Sequence, residues 1–417
     1  MELVGADGQT WRGTLVPSHE LSGDRIVQLK LDSGYNVGVR VDVGDELRIL
    51  PADEPGPDAT GPRAPRPAER ADGPWVALLS TGGTIASRVD YRTGGVRPVQ
   101  EESEILAFYP NLERGGPVRV VPVFDRLSED IAPEDWRVLG RQVVRAFRDG
   151  AHGVVVAHGT DTLAYTAAAL SFLFATLPGP VVLVGAQRSP DRPSSDGVSN
   201  LAAAVRLARE GAFGEVVVVM HAGLSDDRFA VHRGTRVRKM HASRRDAFQT
   251  RNGPPIGWID AEGTHWTEPV RPPSSGPAAY DDRWGDRGGL LWFYPGLAPA
   301  QAEAFATELR GLVIAGTGLG HVSALHLPWI RAAVQNGTVV VMTTQCLEGA
   351  VDPYVYATGR ELLRAGVLYA GDMLPETAYV KLLWALGRSD DPAEVRRLIL
   401  TDRAGEFAPR RQSEGDR

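Results

Sequence analysis

Residues 75–87 read WVALLSTGGTIAS, and this stretch decides the fold. Trp75 to Leu79 is an unbroken apolar run, the pattern of a short strand buried on both faces. Ser80, Thr81, Gly82, Gly83 and Thr84 follow at its C-terminal end. In open parallel sheets that end is where ligands bind. The paired glycines let the backbone turn sharply and come close to a ligand. Thr84 is placed to offer a hydroxyl, and backbone N–H groups nearby could polarise a carbonyl. The plainer reading is a strand-to-helix turn with a capping threonine.

A second stretch, Gly153 to Thr162 (GVVVAHGTDT), repeats the form, with a helical pattern from Leu163 to Ala175 behind it. STGGTIAS and VVVAHGTDT, in this order, resemble the two signature motifs of the bacterial-type L-asparaginases. The resemblance implies an α/β fold of two doubly wound parallel-sheet domains and an amidohydrolase activity. It also implies a threonine nucleophile, Thr84. Tyr91, in VDYRTGGV, would help to activate that hydroxyl from a mobile loop, since a hydroxyl is a weak nucleophile until a neighbour takes its proton. Thr160 and Asp161 would join a distant lysine in a triad. On its own, Asp161 reads as a cap for the following helix. The triad needs a carboxylate to orient the lysine and enough burial to favour a neutral amine.

Composition points to that lysine. Of 45 basic residues only three are lysines, Lys30, Lys239 and Lys381. Arginine keeps its proton in proteins, whereas lysine can lose it. Lys239 lies in HRGTRVRKMHASRRDAF, where six basic residues fall between Arg233 and Arg245. A basic cluster of this kind also reads as a nucleic-acid patch. The single lysine among arginines, placed after a predicted strand at Val216–Met220, matches the triad position. Ser128 and Glu129, in LSEDIAPEDW, match residues that hold the substrate's α-carboxylate and α-amine; otherwise they are a surface loop. A carboxylate at Glu129 suits an α-ammonium and repels a carboxylate. Gly83 and Gly159, within the two motifs, complete the expected substrate-binding set. His158, Asp196-Gly197 with Asn200, and DMLPETAYVKL (372–382) also resemble family segments, with structural roles expected.

The rest of the chain divides around these motifs. Residues 1–50 alternate apolar and polar positions in short runs separated by Gly and Asp, the pattern of a small antiparallel β-barrel. SGYNVGVR (33–40) resembles the N-terminal domain of the D-type component of archaeal glutamyl-tRNA(Gln) amidotransferase. RVDYRTG, VHRGTRVRKMH and DMLPETA point to the same branch. Residues 51–73 are rich in Pro, Gly and Ala and read as a linker. Strands alternate with helices over 74–260, a polar connector spans 261–287, a second α/β unit covers 288–402, and 403–417 is a polar tail.

Composition narrows the class further. Hydrophobic content of 43%, charged content of 23% and a net charge of −7 suit a soluble globular protein without overall attraction to nucleic acid. The single cysteine, Cys346, excludes an intramolecular disulfide. No signal-peptide pattern or membrane span is expected, so the cytoplasm is the expected location. The resemblance requires no metal or cofactor. It implies a homodimer acting on a small-molecule or peptide amide. Membership of the D-type branch would add an E-type partner subunit and, through it, tRNA. The alternatives are a stand-alone asparaginase, or an amidase for a peptide or metabolite in a biosynthetic pathway. A different class, a non-catalytic binding module on the same fold, would fit better had any of Thr84, Thr160, Asp161 or Lys239 been lost.

Overall fold

The computed structural model describes residues 2–5, 8–16, 25–31, 36–49, 74–82, 87–89, 96–98, 112, 115–188 and 195–408. The first five strands, β1 (Glu2–Val4), β2 (Thr10–Val16), β3 (Ile26–Leu31), β4 (Asn36–Arg40) and β5 (Glu46–Arg48), form an antiparallel sheet in the order β4-β3-β2-β1-β5. Leu3, Leu29 and Val39 are its buried centre, with Trp11, Val27 and Val37 packed around them. Among the described residues no ladder joins β4 to β5. Strand β1 carries no sequence signal, because three residues are too few to show a period. The linker at 51–73 lies outside the described residues, as does the tail beyond 408.

The central sheet begins with β6 (Trp75–Ser80), every residue of which is buried. A hairpin of β7 (Ser87–Val89) and β8 (Val96–Pro98) follows, then β9 (Val118–Pro122), α1 (Pro133–Arg148), β10 (Ala151–Ala157) and α2 (Leu163–Leu173). The chain continues through β11 (Phe174–Thr176), β12 (Val181–Val184), α3 (Gly197–Glu210), β13 (Val216–His221) and β14 (Phe229–Arg233). Next come β15 (Val237–Lys239), β16 (Phe248–Thr250), β17 (Gly257–Ile259) and β18 (Thr264–Trp266). Eight of these strands make one sheet in the order β18-β17-β14-β13-β12-β10-β6-β9. The strands from β9 to β13 are parallel, as expected. Strands β14, β17 and β18 run antiparallel at the edge, so the sheet is mixed rather than wholly parallel. The last two are three residues each and lie among prolines and glycines, which hid them. Strand β18 and the two-residue β19 (Ala279–Tyr280, paired with β11) fall within the stretch that reads as a connector.

Helix α1 shows why the sheet is covered. Its buried Trp136, Leu139, Gly140, Val143 and Ala146 recur on one stripe, Pro133 opens it at N1, and Asp135 accepts the Ala132 N–H at 2.8 Å. Helix α2 (LAYTAAALSFL) is apolar almost all round and buried almost all round, because layers lie on both sides of it. Helix α3 covers the opposite face of the sheet.

A second, parallel sheet in the order β20-β21-β22-β23 is built from β20 (Gly288–Trp292), β21 (Gly311–Gly316), β22 (Val339–Thr344) and β23 (Leu368–Tyr369). Its helices are α4 (Pro299–Ala306), α5 (Leu327–Gln335), α6 (Ala357–Arg364), α7 (Pro375–Leu386) and α8 (Pro392–Leu400). One continuous core joins the two units: α2 residues such as Leu170 and Phe172 pack in the same cluster as α7 residues such as Leu383 and Trp384.

Candidate active site

Three neighbouring strands deliver the site. In the parallel register Ser80 of β6 lies opposite Ala157 of β10 on one side and Pro122 of β9 on the other. The segments leaving their C-terminal ends therefore emerge side by side. The Thr81 N–H and hydroxyl both donate to Ala157 O, at 3.1 and 3.0 Å. Gly82 turns with φ +92° against the next loop, where a Cβ would sit 2.7 Å from the Arg126 backbone, so only glycine fits. The chain then passes into Gly83 and Thr84, which with Tyr91 lie outside the described residues.

At the end of β10 the signature residues have definite partners. The Lys239 Nζ donates to Thr160 Oγ1 at 2.8 Å and to Asp161 Oδ1 at 2.7 Å. The lysine arrives from β15, far along the chain, with its side chain 14% exposed; Asp161 is 65% exposed, so burial of the pair is one-sided. Asp161 does not cap α2. The N-cap is Thr162, whose hydroxyl donates instead to Ser128 O at 2.6 Å. That bond ties the second motif to the turn at Ser128–Asp130. Gly159 packs on the same turn, where a Cβ would lie 2.7 Å from Ser128 Cβ. The Ser128 hydroxyl is buried and 3.5 Å from Asp161 Oδ2, while Glu129 is exposed beside it. Thus Thr160, Asp161, Lys239, Ser128, Glu129 and Gly159 share one locality.

Behind them, burial pushes the His158 imidazole down to about 4, so the ring is neutral. Its Nδ1–H donates to Gly159 O at 2.7 Å, leaving Nε2 to accept the Thr166 hydroxyl at 2.9 Å; Trp136 Nε1 donates to that hydroxyl at 3.0 Å. This relay fixes the turn that carries Thr160. From the other side Asp196 accepts the Gln187 and Arg188 N–H groups at 3.0 Å, and Asn200 donates to Gly185 O at 3.1 Å. These bonds hold Gly185 against Thr160, whose Cγ2 would be 2.7 Å from any Cβ there.

The basic cluster around Lys239 is paired internally. Arg233 meets Glu215 at 3.0 Å, Arg236 meets Asp372 at 2.8 Å, Arg238 meets Glu376 at 3.5 Å and Arg245 meets Asp226 at 3.0 Å. Arg244 pairs with Asp246, and Lys239 with Asp161. All six cations between Arg233 and Arg245 thus have carboxylate partners, which removes the basis for a nucleic-acid patch. Apart from Asp246, two residues from Arg244, the acidic partners are scattered from Asp161 to Glu376, so no local signal in the sequence announces them. Asp260, Glu262 and His265 cluster at the β17–β18 turn, where Asp260 already accepts the Glu262 and Gly263 N–H groups and lies 3.0 Å from His265 Nε2. That arrangement is a hydrogen-bonded turn.

Comparison with known proteins agrees with the fold. Residues 75–271 match the family model described as Asparaginase, N-terminal, and residues 289–399 match the Glutaminase/Asparaginase C-terminal domain. Residues 3–50 match the GatD N-terminal domain. The chain is 44% identical over 409 residues to the GatD component of the glutamyl-tRNA(Gln) amidotransferase of Thermococcus kodakarensis, covering 97% of this chain and 92% of that one. The corresponding component from Pyrococcus furiosus is 44% identical over 402 residues, covering 96% and 91%. Among solved structures, the thermostable L-asparaginase from Thermococcus kodakarensis matches with a TM-score of 0.74 at 35% identity, covering 80% of this chain and 99% of that one. L-asparaginase I from Vibrio cholerae matches with a TM-score of 0.70 at 28% identity, covering 81% and 99%. The chain belongs to the asparaginase family, in the form that carries a GatD N-terminal domain ahead of the two asparaginase domains.

Proposed function

We propose that this protein is an amidohydrolase that releases ammonia from a side-chain carboxamide, acting as the ammonia-generating D-type component of a glutamyl-tRNA(Gln) amidotransferase. The observation that carries the reading is the Lys239 amine lodged between Thr160 Oγ1 and Asp161 Oδ1 at a sheet edge that also feeds the Thr84 turn. In the reading, Tyr91 relays the proton from the Thr84 hydroxyl, and the Thr84 oxygen bonds to the carboxamide carbon. Backbone N–H groups, Gly83 among them, and the Thr160 turn stabilise the oxyanion. The C–N bond breaks, the nitrogen takes a proton and ammonia leaves, giving an ester on Thr84. A water held by Thr160, Asp161 and Lys239 then hydrolyses the ester, returning the hydroxyl and a carboxylic acid. Ser128, Glu129 and Gly159 bind the rest of the substrate, and the Glu129 carboxylate favours one with a free α-ammonium. No step calls for a metal or cofactor.

The D-type reading adds a homodimer, an E-type partner that supplies tRNA, and a cytoplasmic setting. Among the described residues no helix is long and apolar enough to cross a membrane. A stand-alone asparaginase is the second reading, favoured by the match to L-asparaginases over almost their whole length. The test is ammonia release from free asparagine, free glutamine and an asparagine-containing peptide, with and without a candidate E-type subunit. Release that Thr84→Ala abolishes supports the reading. Turnover of Thr84→Ala near that of the parent chain overturns the nucleophile, and no release from any amide under any condition leaves the binding-module alternative.

A further inference from the structure

The strand that ends in Lys239 is held from two sides. Side chains alternate along a strand. Lys239 turns to Thr160 and Asp161 of the first α/β unit, while Arg236 and Arg238 turn to the second. Arg236, buried, donates to Asp372 Oδ2 at 2.8 Å, to Glu406 O at 3.2 Å and to Arg251 O at 3.1 Å. Arg238 Nε lies 3.5 Å from Glu376 Oε1, at the first turn of α7. The partner strand is fastened in the same way: after β16, Arg251 pairs with Glu348 at 2.6 Å and Asn252 donates to Asp372 O at 3.0 Å. The Lys239 amine itself bonds only to the first unit among the described residues. Resting on the reading above, we propose that Asp372 and Glu376 are positioning residues, which set the place of the Lys239 amine through Arg236 and Arg238.

The Glu376 carboxylate is buried and the Asp372 side chain is 14% exposed; both would be costly unless paired, and here both are paired with arginines of the segment that carries the lysine. Burial pushes the Glu376 carboxyl up, and the Arg238 guanidinium opposes that rise. Each pair is a single contact, Arg236 Nη2 to Asp372 Oδ2 at 2.8 Å and Arg238 Nε to Glu376 Oε1 at 3.5 Å, and together they tie the segment that ends in the lysine to the second unit at two points.

The test uses the full chain labelled with [13Cε]-lysine. Only three lysine signals arise, and Lys239→Arg assigns one of them. Glu376→Gln and Asp372→Asn are each expected to displace the Lys239 signal, leave the Lys30 signal in place, and lower kcat about tenfold with KM nearly unchanged. Glu376→Asp, which keeps the charge, should recover part of the loss. Wild-type Lys239 signals and wild-type kcat in both folded neutral variants would overturn the proposal. So would equal impairment in Glu376→Asp and Glu376→Gln, which would mark packing rather than the ion pair. If Asp372→Asn does not fold, the Glu376 pair of variants decides. If the parent chain releases no ammonia, the reaction reading fails alone, and the Lys239 signal still decides the positioning claim.

Discussion

Lys381→Met is the substitution whose cost can be worked out most fully. Lys381 lies in α7 with its side chain wholly buried, donating to Ile399 O and Thr401 O at 2.7 Å each and pairing with the equally buried Glu406. Burial pushes the amine's pKa down, with Glu406 opposing it; burial also pushes the Glu406 carboxyl up, but the Lys381 ammonium, the Ala404 N–H and Asp402 together more than reverse that and leave it below the ordinary range. Methionine keeps most of the volume and removes every donor. Removing one partner of a buried pair costs about 3–5 kcal/mol. The buried Ile399 carbonyl left without its donor adds to this, at about 1–3 kcal/mol for a group left unsatisfied, less than additively. The expected loss is therefore at least about 4 kcal/mol, a large share of a native stability of roughly 5–15 kcal/mol. Thermal melting of the parent, Lys381→Met and Lys381→Met/Glu406→Gln reads it. The single variant should melt well below the parent, and the double variant should recover part of the drop because no unpaired charge remains. A Lys381→Met midpoint equal to the parent's would refute the argument, as would a double variant less stable than the single one. Lys381→Arg should also destabilise, by about 1–3 kcal/mol, because a wider head group must enter a filled site.

Two further predictions concern buried imidazoles and the packing of Thr160. The imidazoles of His158 and His232 are buried and pushed down to about 4 and about 3. In the unfolded chain they titrate near the ordinary value of about 6.5. Below that pH the unfolded state takes up protons that the folded state refuses, so stability falls as pH drops from 6.5 towards 4. For His158 alone this amounts to about 3 kcal/mol by pH 4, at about 1.4 kcal/mol per pKa unit. His158→Gln, which takes no proton in this range, should show a smaller drop in melting midpoint between pH 7 and pH 5 than the parent; an equal or larger drop would count against the assignment. Gly185→Val puts a side chain where Thr160 Cγ2 lies 2.7 Å from the position of a Cβ, and should lower kcat by about a hundredfold, since an ångström of misplacement costs that much. A fully active Gly185→Val, measured by ammonia release, would show that the position of Thr160 does not matter.

Much of the fold is legible in the sequence because the decisive elements carry local signals. The apolar run at Trp75–Leu79 and the helix stripe at Pro133–Arg148 announce themselves by period, and each became the element expected. The lysine is legible for a different reason: the single lysine in an arginine-rich segment marks Lys239, which lies 2.7 Å from Asp161. The rarity of lysine in the chain also marks Lys381 without saying what it does, because its partners, Glu406 and two backbone carbonyls, are assembled only by the fold. Asp161 is ambiguous in the sequence, since a carboxylate before a helix reads equally as a cap, and only the long-range arrival of β15 distinguishes the two. The antiparallel edge is hidden because β17 and β18 are too short for a period and sit among turn residues. Except for Arg244 with Asp246, the pairing of the basic cluster is illegible for the reason that hides most ion pairs, namely that partners distant in sequence leave no local pattern.

The central claim is that the amine between Thr160 and Asp161 handles a proton during amide hydrolysis. The measurement that bears on it most directly is steady-state ammonia release by Lys239→Arg beside the parent chain, with the amide that the parent turns over best. Arginine preserves the positive charge and can still meet Asp161, but it does not give up a proton. The account predicts a fall in kcat of roughly 10²–10⁴-fold, the range for loss of a general acid–base group, with an unchanged melting midpoint. A kcat for Lys239→Arg within a few-fold of the parent's would contradict it.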